Sequence, residues 1–349
     1  MGRSTDSTVN IGVIVLPAFN AHATTAFIDP FRAANYLSAN HLYRWQFMAP
    51  HESQTMASNG MLIATTPIAK LTQTPDILLI SASWNPERYQ DKALLKWIRQ
   101  CGLEGALLCA VDTGAFLLGV AGLLDGYRVT VHYEHMDAFS ELYPHVALSE
   151  DIFVQDRNIL TCCGGAAATD MALAMVQNAR GTDLANAAAR YIFHDRLRAA
   201  NEGQNAALHE PVGYAVDPTL REAIILMERN LETPLPIPEI AQRVNRSQRQ
   251  LERLFKRYTR VSAARYYLDI RLDRARGLIT QTELRVLQVA IACGFSSAVH
   301  FARAYRKKFG LAPRDDRAAS RVPFEFRAFP MHAAQSRDAN SNANRSGAE

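Results

Sequence analysis

The chain lacks what would tie it to a membrane or to a disulfide framework. No run of 18 apolar residues occurs in its 349 residues, so no membrane-spanning helix is expected. Residues 1–10 are polar and lack the apolar core of a secretory leader. Cysteine is scarce: five, an odd number, with no Cys-x-x-Cys and no Cys/His spacing. That argues for reduced thiols in a cytoplasm and against structural zinc. No metal or other cofactor is expected.

What is present is unevenly charged. Residues 1–218 carry 14 Lys and Arg against 21 Asp and Glu, and residues 219–317 carry 20 against 10. A basic module of about a hundred residues beside an acidic one suits a protein with one nucleic-acid surface. Residues 9–180 alternate apolar strand-like runs with helical ones. Strands are expected at 9–16, 43–49, 61–65, 76–81, 106–111 and 128–132, with a hairpin over 152–163. Helices are expected at 23–38, 91–102, 114–124, 134–142, 166–178 and 181–198. The fold class is therefore α/β, a flavodoxin-like parallel sheet sandwiched by helices, followed by an all-α C-terminal part. The expected division is 9–200, a linker at 201–218, a helical domain at 219–317 and a largely disordered tail at 318–349.

The helical part contains one motif twice. Val286 to Ala292 reads as a short apolar helix stopped at Gly294, and a second helix opens behind Ser296. Phe301, Tyr305 and Phe309 share its inner face, and Arg303, Arg306, Lys307 and Lys308 lie elsewhere. Upstream, Ile237 to Val244, the turn Asn245-Arg246-Ser247 and Gln248 to Tyr258 repeat the pattern. Asn245 and Gly294 suit a left-handed turn, and Ser247 and Ser296 are placed as helix caps. Ser262 to Ile279 reads as one rigid helix between the copies.

This doubled helix-turn-helix resembles the DNA-binding domain of AraC/XylS-type transcription regulators over nearly all of 219–317. The matching positions are Ala290, Gly294, Phe295, Ser296, Phe301, Arg303, Phe309, Gly310, Pro313 and Arg317. Asp315-Asp316 stands where a tyrosine is usual, which should affect the end of the domain rather than base reading. Double-stranded DNA is the expected partner. Arg249, Gln250, Arg253, Val299, His300 and Arg303 are the candidate base contacts, since Arg can pair bidentately with guanine and Gln with adenine. Arg246, Lys256, Arg257, Arg306 and Lys307 are candidate phosphate contacts. Each could instead be a solvated charge, and His300 a packing residue.

In the first part, an apolar strand over 106–111 meets a helix through Asp112-Thr113-Gly114, an elbow that lifts one side chain above a sheet edge. The stretch resembles the class I glutamine amidotransferase-like (PfpI-type) fold, and more closely the N-terminal domain of GlxA-type AraC regulators. Enzymes of that fold carry cysteine at the elbow, with a histidine and a carboxylate. Here the elbow holds Asp112, with His132 at the histidine segment and Asp29 at the acidic position. Aspartate cannot replace a thiolate in thioester chemistry. Cys109 falls three residues too early and should be buried. Asp112 may also be read as a helix cap, His132 as structural and Trp84 as packing.

Ligands of such sheets bind outside the carboxyl ends of the strands. That gathers Phe19, Trp84, Asp112, Thr113, His132 and residues 161–165 around one crevice. Asp112, Thr113, His132, Trp84 and Asp29 are the candidate ligand contacts, and no catalytic residue is assigned. The expected function is a cytoplasmic transcription regulator, an activator answering to a small metabolite. The resemblance, and an acid beside Trp84 or Tyr133, suit a quaternary amine or an amino acid. A homodimer and contact with RNA polymerase are expected. The alternatives are an amidase or related hydrolase carrying a DNA-binding module, and a ligand-free nucleoid-type binder.

Overall fold

A computed structural model describes residues 7–83, 91–204 and 217–319. Seven strands form the main sheet in the order β10-β11-β7-β6-β1-β2-β5. They are β1 (Val9–Val15), β2 (Tyr43–Ala49), β5 (Thr66–Pro67), β6 (Ile77–Ala82), β7 (Leu107–Asp112), β10 (Phe153–Asp156) and β11 (Ile159–Cys162). All pairings are parallel except the hairpin of β10 with β11. The central strands alternate strictly. Val13, Val15, Leu79 and Val111 enter one apolar cluster, while Ile14, Ile80 and Ala110 enter the other. A sheet covered on both faces needs such strands, because each successive side chain points to the opposite layer.

One layer holds α1 (Ala21–Ser38), α5 (Ala167–Arg180) and α6 (Thr182–Tyr191), packed on one another. The other holds α2 (Lys92–Leu103), α3 (Ala115–Val120) and α4 (Met136–Leu142). Val15, Ser81, Val111 and Cys162 stand in one rung across four parallel strands. The carboxyl ends just beyond that rung therefore share one edge.

Several elements differ from the sequence reading. The strand expected at 61–65 is β4 (Leu62–Ala64), which leaves the sheet to pair with β3 (Gln54–Met56). The helix expected over 114–124 is only α3, followed by Gly122 at φ 69°. The strand expected at 128–132 is the two-residue β8 (Arg128–Val129), paired with β9 (Ala147–Leu148). The last helix of this part ends at Tyr191, and Phe193 then takes φ 56°. Residues at the start of the expected linker are held on this part. Ile152 donates its N–H to the Glu202 carbonyl, and the Gln204 amide donates to Thr130 Oγ1 and the Val131 carbonyl. Most of the rest of that linker, and the tail beyond Ala319, lie outside the described residues.

The C-terminal part is helical: α7 (Pro218–Glu228), α8 (Ile237–Arg243), α9 (Gln248–Thr259), α10 (Ala263–Gln281), α11 (Val286–Ala292), α12 (Ala298–Phe309) and α13 (Pro313–Ala319). Leu220, Met227, Leu251, Phe255 and Tyr266 form one core around α7 to α9 and the start of α10. The second half of α10 with α11 and α12 belongs to the cluster that also contains Phe116 and Phe139 of the sheet layer.

Candidate functional site

The elbow is built on the turn from β7 to α3. Asp112 ends the strand at φ 60°, in the left-handed region that side chains other than glycine rarely adopt. The chain can turn this sharply because residue 114 is glycine: a Cβ there would stand 2.3 Å from the Ile80 carbonyl oxygen. Gly164 closes the opposite side, since a Cβ on it would lie 3.1 Å from Asp112 Cβ. Asp112 itself is 5% exposed. Its Oδ2 accepts from Asn20 Nδ2 at 2.9 Å. Burial pushes the Asp112 carboxyl up to about 6, against the opposing hydrogen bonds from Asn20 and Ser83. No cation contributes to that balance among the described residues. Asp112 is not a helix cap, because the cap position of α3 is Gly114 and no side chain bonds there.

Asn20 is the residue that sequence reasoning missed. Its Oδ1 caps α1 by accepting from the Ala23 N–H at 3.1 Å, which leaves Nδ2 for Asp112. An Asn ahead of an apolar helix is a capping signal, but its second bond spans 92 residues. His132 does reach the elbow through its backbone, donating its N–H to the Asp112 carbonyl at 3.3 Å. Its ring lies 4.5 Å from that of Tyr133, centroid to centroid, and Nδ1 accepts from the Glu134 N–H.

Three other expectations shift. Thr113 is fully buried; its hydroxyl donates to the Ser83 carbonyl at 2.8 Å and its N–H to the Ala82 carbonyl, so it shapes the elbow from inside. Phe19 and Thr161 are likewise core residues. Asp29 lies on α1 two and a half turns beyond Asn20, about 13 Å along the axis. It pairs with Arg32 at 2.8 Å and lines a separate surface hollow with His22, Thr169 and His194. Trp84 lies outside the described residues. Cys109 is fully buried and Cys162 nearly so, and burial drives both thiols far above the ordinary thiol range. Neither supplies a thiolate at the elbow.

The second site is the paired helix face. α9 and α12 are both twelve residues long and start 50 positions apart. Along 251–260 and 301–310 the succession of buried, half-buried and exposed residues is identical. Leu251 and Phe255 point inward in the first copy, and Phe301 and Tyr305 in the second. Arg249, Gln250, Arg253, Val299, His300 and Arg303 are all exposed. So are Arg246, Lys256, Arg257, Arg306 and Lys307. The turns also match: Asn245 at φ 54° and Gly294 at φ 70° are followed by N–H groups bonded back to the Ala241 and Ala290 carbonyls.

The second turn is one residue longer, and that corrects the cap. Ser247 caps α9 in a reciprocal box with Gln250, but α12 is capped by Ser297, whose Oγ accepts from the His300 N–H. Ser296 is the exposed extra residue. Long polar side chains hold the second turn in place. Arg271 of α10 donates to the Cys293 and Gly294 carbonyls at 2.8 and 2.6 Å. Asp316 is buried, accepts from the Tyr305 hydroxyl at 2.9 Å and pairs with Arg276 at 3.0 Å. Asp316 thus ties α12 to α13 and α10, a role that the sequence left undefined.

Residues 240–319 match the family described as a helix-turn-helix domain, and residues 21–178 match the DJ-1/PfpI family. The chain is 38% identical to the HTH-type transcriptional regulator GbdR of Pseudomonas aeruginosa, over 88% of this chain and 84% of that protein. It is 36% identical to the HTH-type transcriptional regulator CdhR of the same organism, over 87% and 90%. It is 31% identical to the HTH-type transcriptional regulator GlxA of Rhizobium meliloti, over 90% and 97%. No described helix is long and apolar enough to cross a membrane.

Proposed function

The chain belongs to the HTH-type transcriptional regulators that join a DJ-1/PfpI domain to an AraC-type helix-turn-helix domain, and from that premise we propose a regulator switched by a small molecule at the elbow. DNA binding follows from the family. The finer reading assigns 9–200 to sensing and 219–317 to DNA. Arg249, Gln250, Arg253, Val299, His300 and Arg303 read bases, and Arg246, Lys256, Arg257, Arg306 and Lys307 hold phosphates.

The observation that carries the sensor is Asp112. A buried carboxylate satisfied by an amide and a hydroxyl, with no cation beside it among the described residues, is costly to keep ionised. A bound positive group removes that cost. The effector is therefore a quaternary amine or an amino acid, with His132 and the Tyr133 ring beside the elbow to receive it. The same carboxylate makes the elbow unfit for thiolate chemistry, so the domain binds and does not hydrolyse. The regulator acts as a cytoplasmic homodimer and activates through RNA polymerase.

Thermal-shift titration of the full chain against quaternary amines and amino acids tests this. A ligand at a hundred times its Kd should add about 2.7 kcal/mol of stability. Asp112→Asn should lose that gain. A gain unchanged in Asp112→Asn, or turnover of amide substrates that depends on Asp112, would overturn the reading.

A further inference from the structure

One short segment touches both the elbow and α10, the helix that carries the second helix-turn-helix unit. It starts at His132, whose N–H is bonded to the Asp112 carbonyl. Tyr133–His135 form a single 3-10 turn that runs straight into α4. The His135 ring is buried, lies edge-on to Phe116 of α3 with centroids 6.2 Å apart, and neighbours the Gln281 side chain at the end of α10. Asp137 and Glu141, one turn apart on α4, both meet Arg274 of α10 at 3.2 Å. The Arg274 side chain is only 14% exposed. Phe139, between the two acids, is fully buried in the cluster that includes Leu272, Ala275 and Leu278 of α10.

The same helix also holds the second recognition helix. Arg271 grips the α11–α12 turn, and Lys308 of α12 pairs with Asp273 at 2.7 Å and donates to the Asp269 carbonyl. A displacement of α4 along α10 therefore acts on a helix that is fastened to α12 by charge-assisted bonds. Close-packed interfaces of this kind change by discrete repacking rather than by smooth deformation.

We infer that residues 132–142 are the element that couples the elbow to the second helix-turn-helix unit, with Arg274 as the grip through which they act on α10. This rests on the elbow's being the effector site. Coupling of this sort is reciprocal, so DNA bound at α12 must be felt at α4.

The test needs no effector. A duplex is selected from a random pool with the full-length chain, and hydrogen exchange over 132–142 is followed with and without it. In the wild type the duplex should change exchange there by about threefold or more. In Arg274→Met the response should vanish while affinity for the duplex stays within about threefold. The pair Asp137→Asn with Glu141→Gln repeats the test from the exposed side should Arg274→Met fold poorly. A wild-type chain that binds the duplex with no change over 132–142 overturns the inference, as does a response that survives both variants. The effector reading fails separately, if the segment responds to DNA but no amine or amino acid shifts the melting of the chain.

Discussion

In the first helix-turn-helix unit, Leu251 and Phe255 close a core supplied by α7, α8 and the start of α10. In the second, Phe301 and Tyr305 enter a cluster that continues through α4 to Phe116 under the elbow. The recognition helices have the same length and the same order of burial, so the local code is shared. The surroundings are not. The α/β part grips the second unit through Arg274, with Asp137 and Glu141. Toward the first unit it presents like charge: Glu228 of α7 faces Glu150 and Asp137, and its carboxyl is pushed up to about 7, chiefly by burial and then by those two. One unit is held and the other is opposed, so a change at the elbow would act on the two differently.

The largest effects should come from emptying the two cores. Phe255→Ala and Phe301→Ala each remove a fully buried ring and should cost about 3–5 kcal/mol. Calorimetry with hydrogen exchange should show Phe301→Ala loosening α4 as well, and Phe255→Ala leaving α4 protected. Equal loosening of α4 by both would erase the contrast between shared and separate cores.

Next in size are the outward arginines. Arg253→Ala and Arg303→Ala should each weaken a selected duplex by about 1–3 kcal/mol and relax preference at different base pairs. The footprint should show two contacts roughly 34 Å apart per chain. Lys256→Ala and Lys307→Ala should weaken all duplexes about equally. Loss of preference at one and the same base pair in both arginine variants would mean that the helices do not read separate segments.

The charge opposition can be titrated. A carboxyl whose folded pKa is raised, from an ordinary 4.5 to about 7 for Glu228, gives a stability contribution that is present below pH 4.5 and lost as pH rises through 7. Glu228→Gln should therefore raise stability by about 1–2 kcal/mol at pH 8 and leave it unchanged at pH 4. A gain of equal size at both pH values would show that the ionised Glu228 carboxylate is not the cause.

Smallest are the caps. Ser247→Ala and Ser297→Ala should each cost about 0.5–2 kcal/mol, and Ser296→Ala less than about 0.5. Melting curves that rank Ser296→Ala with the other two would return the second cap to residue 296.

The order of these effects follows how far each feature could be read along the chain. The α/β and helical halves, the elbow and the doubled motif were legible, because alternation in strands, i to i+4 spacing and turn residues are local signals. β3, β5 and β9 escaped because two or three residues carry no period. Asn20 and His135 escaped because their neighbours, Asp112 and Gln281, are brought to them only by the fold. Ser296 was preferred to Ser297 because two serines in series are indistinguishable until the extra residue of the second turn is seen. Asp316 broke the expected pattern at its position and proved to be a buried acceptor for Tyr305.

The fixed 50-residue offset makes the outward face portable. Positions 249, 250, 253, 256 and 257 correspond to 299, 300, 303, 306 and 307, and all ten are exposed. Exchanging the two sets would leave Leu251, Phe255, Phe301 and Tyr305 in their own cores, including the Tyr305 bond to Asp316. The chimera would then carry the same two outward faces in reverse order. Its preferred operator should be the original with the two segments transposed, while the α/β part would grip the face formerly placed on the independent unit. The molecule is, in that sense, already divided into interchangeable vocabulary and fixed grammar.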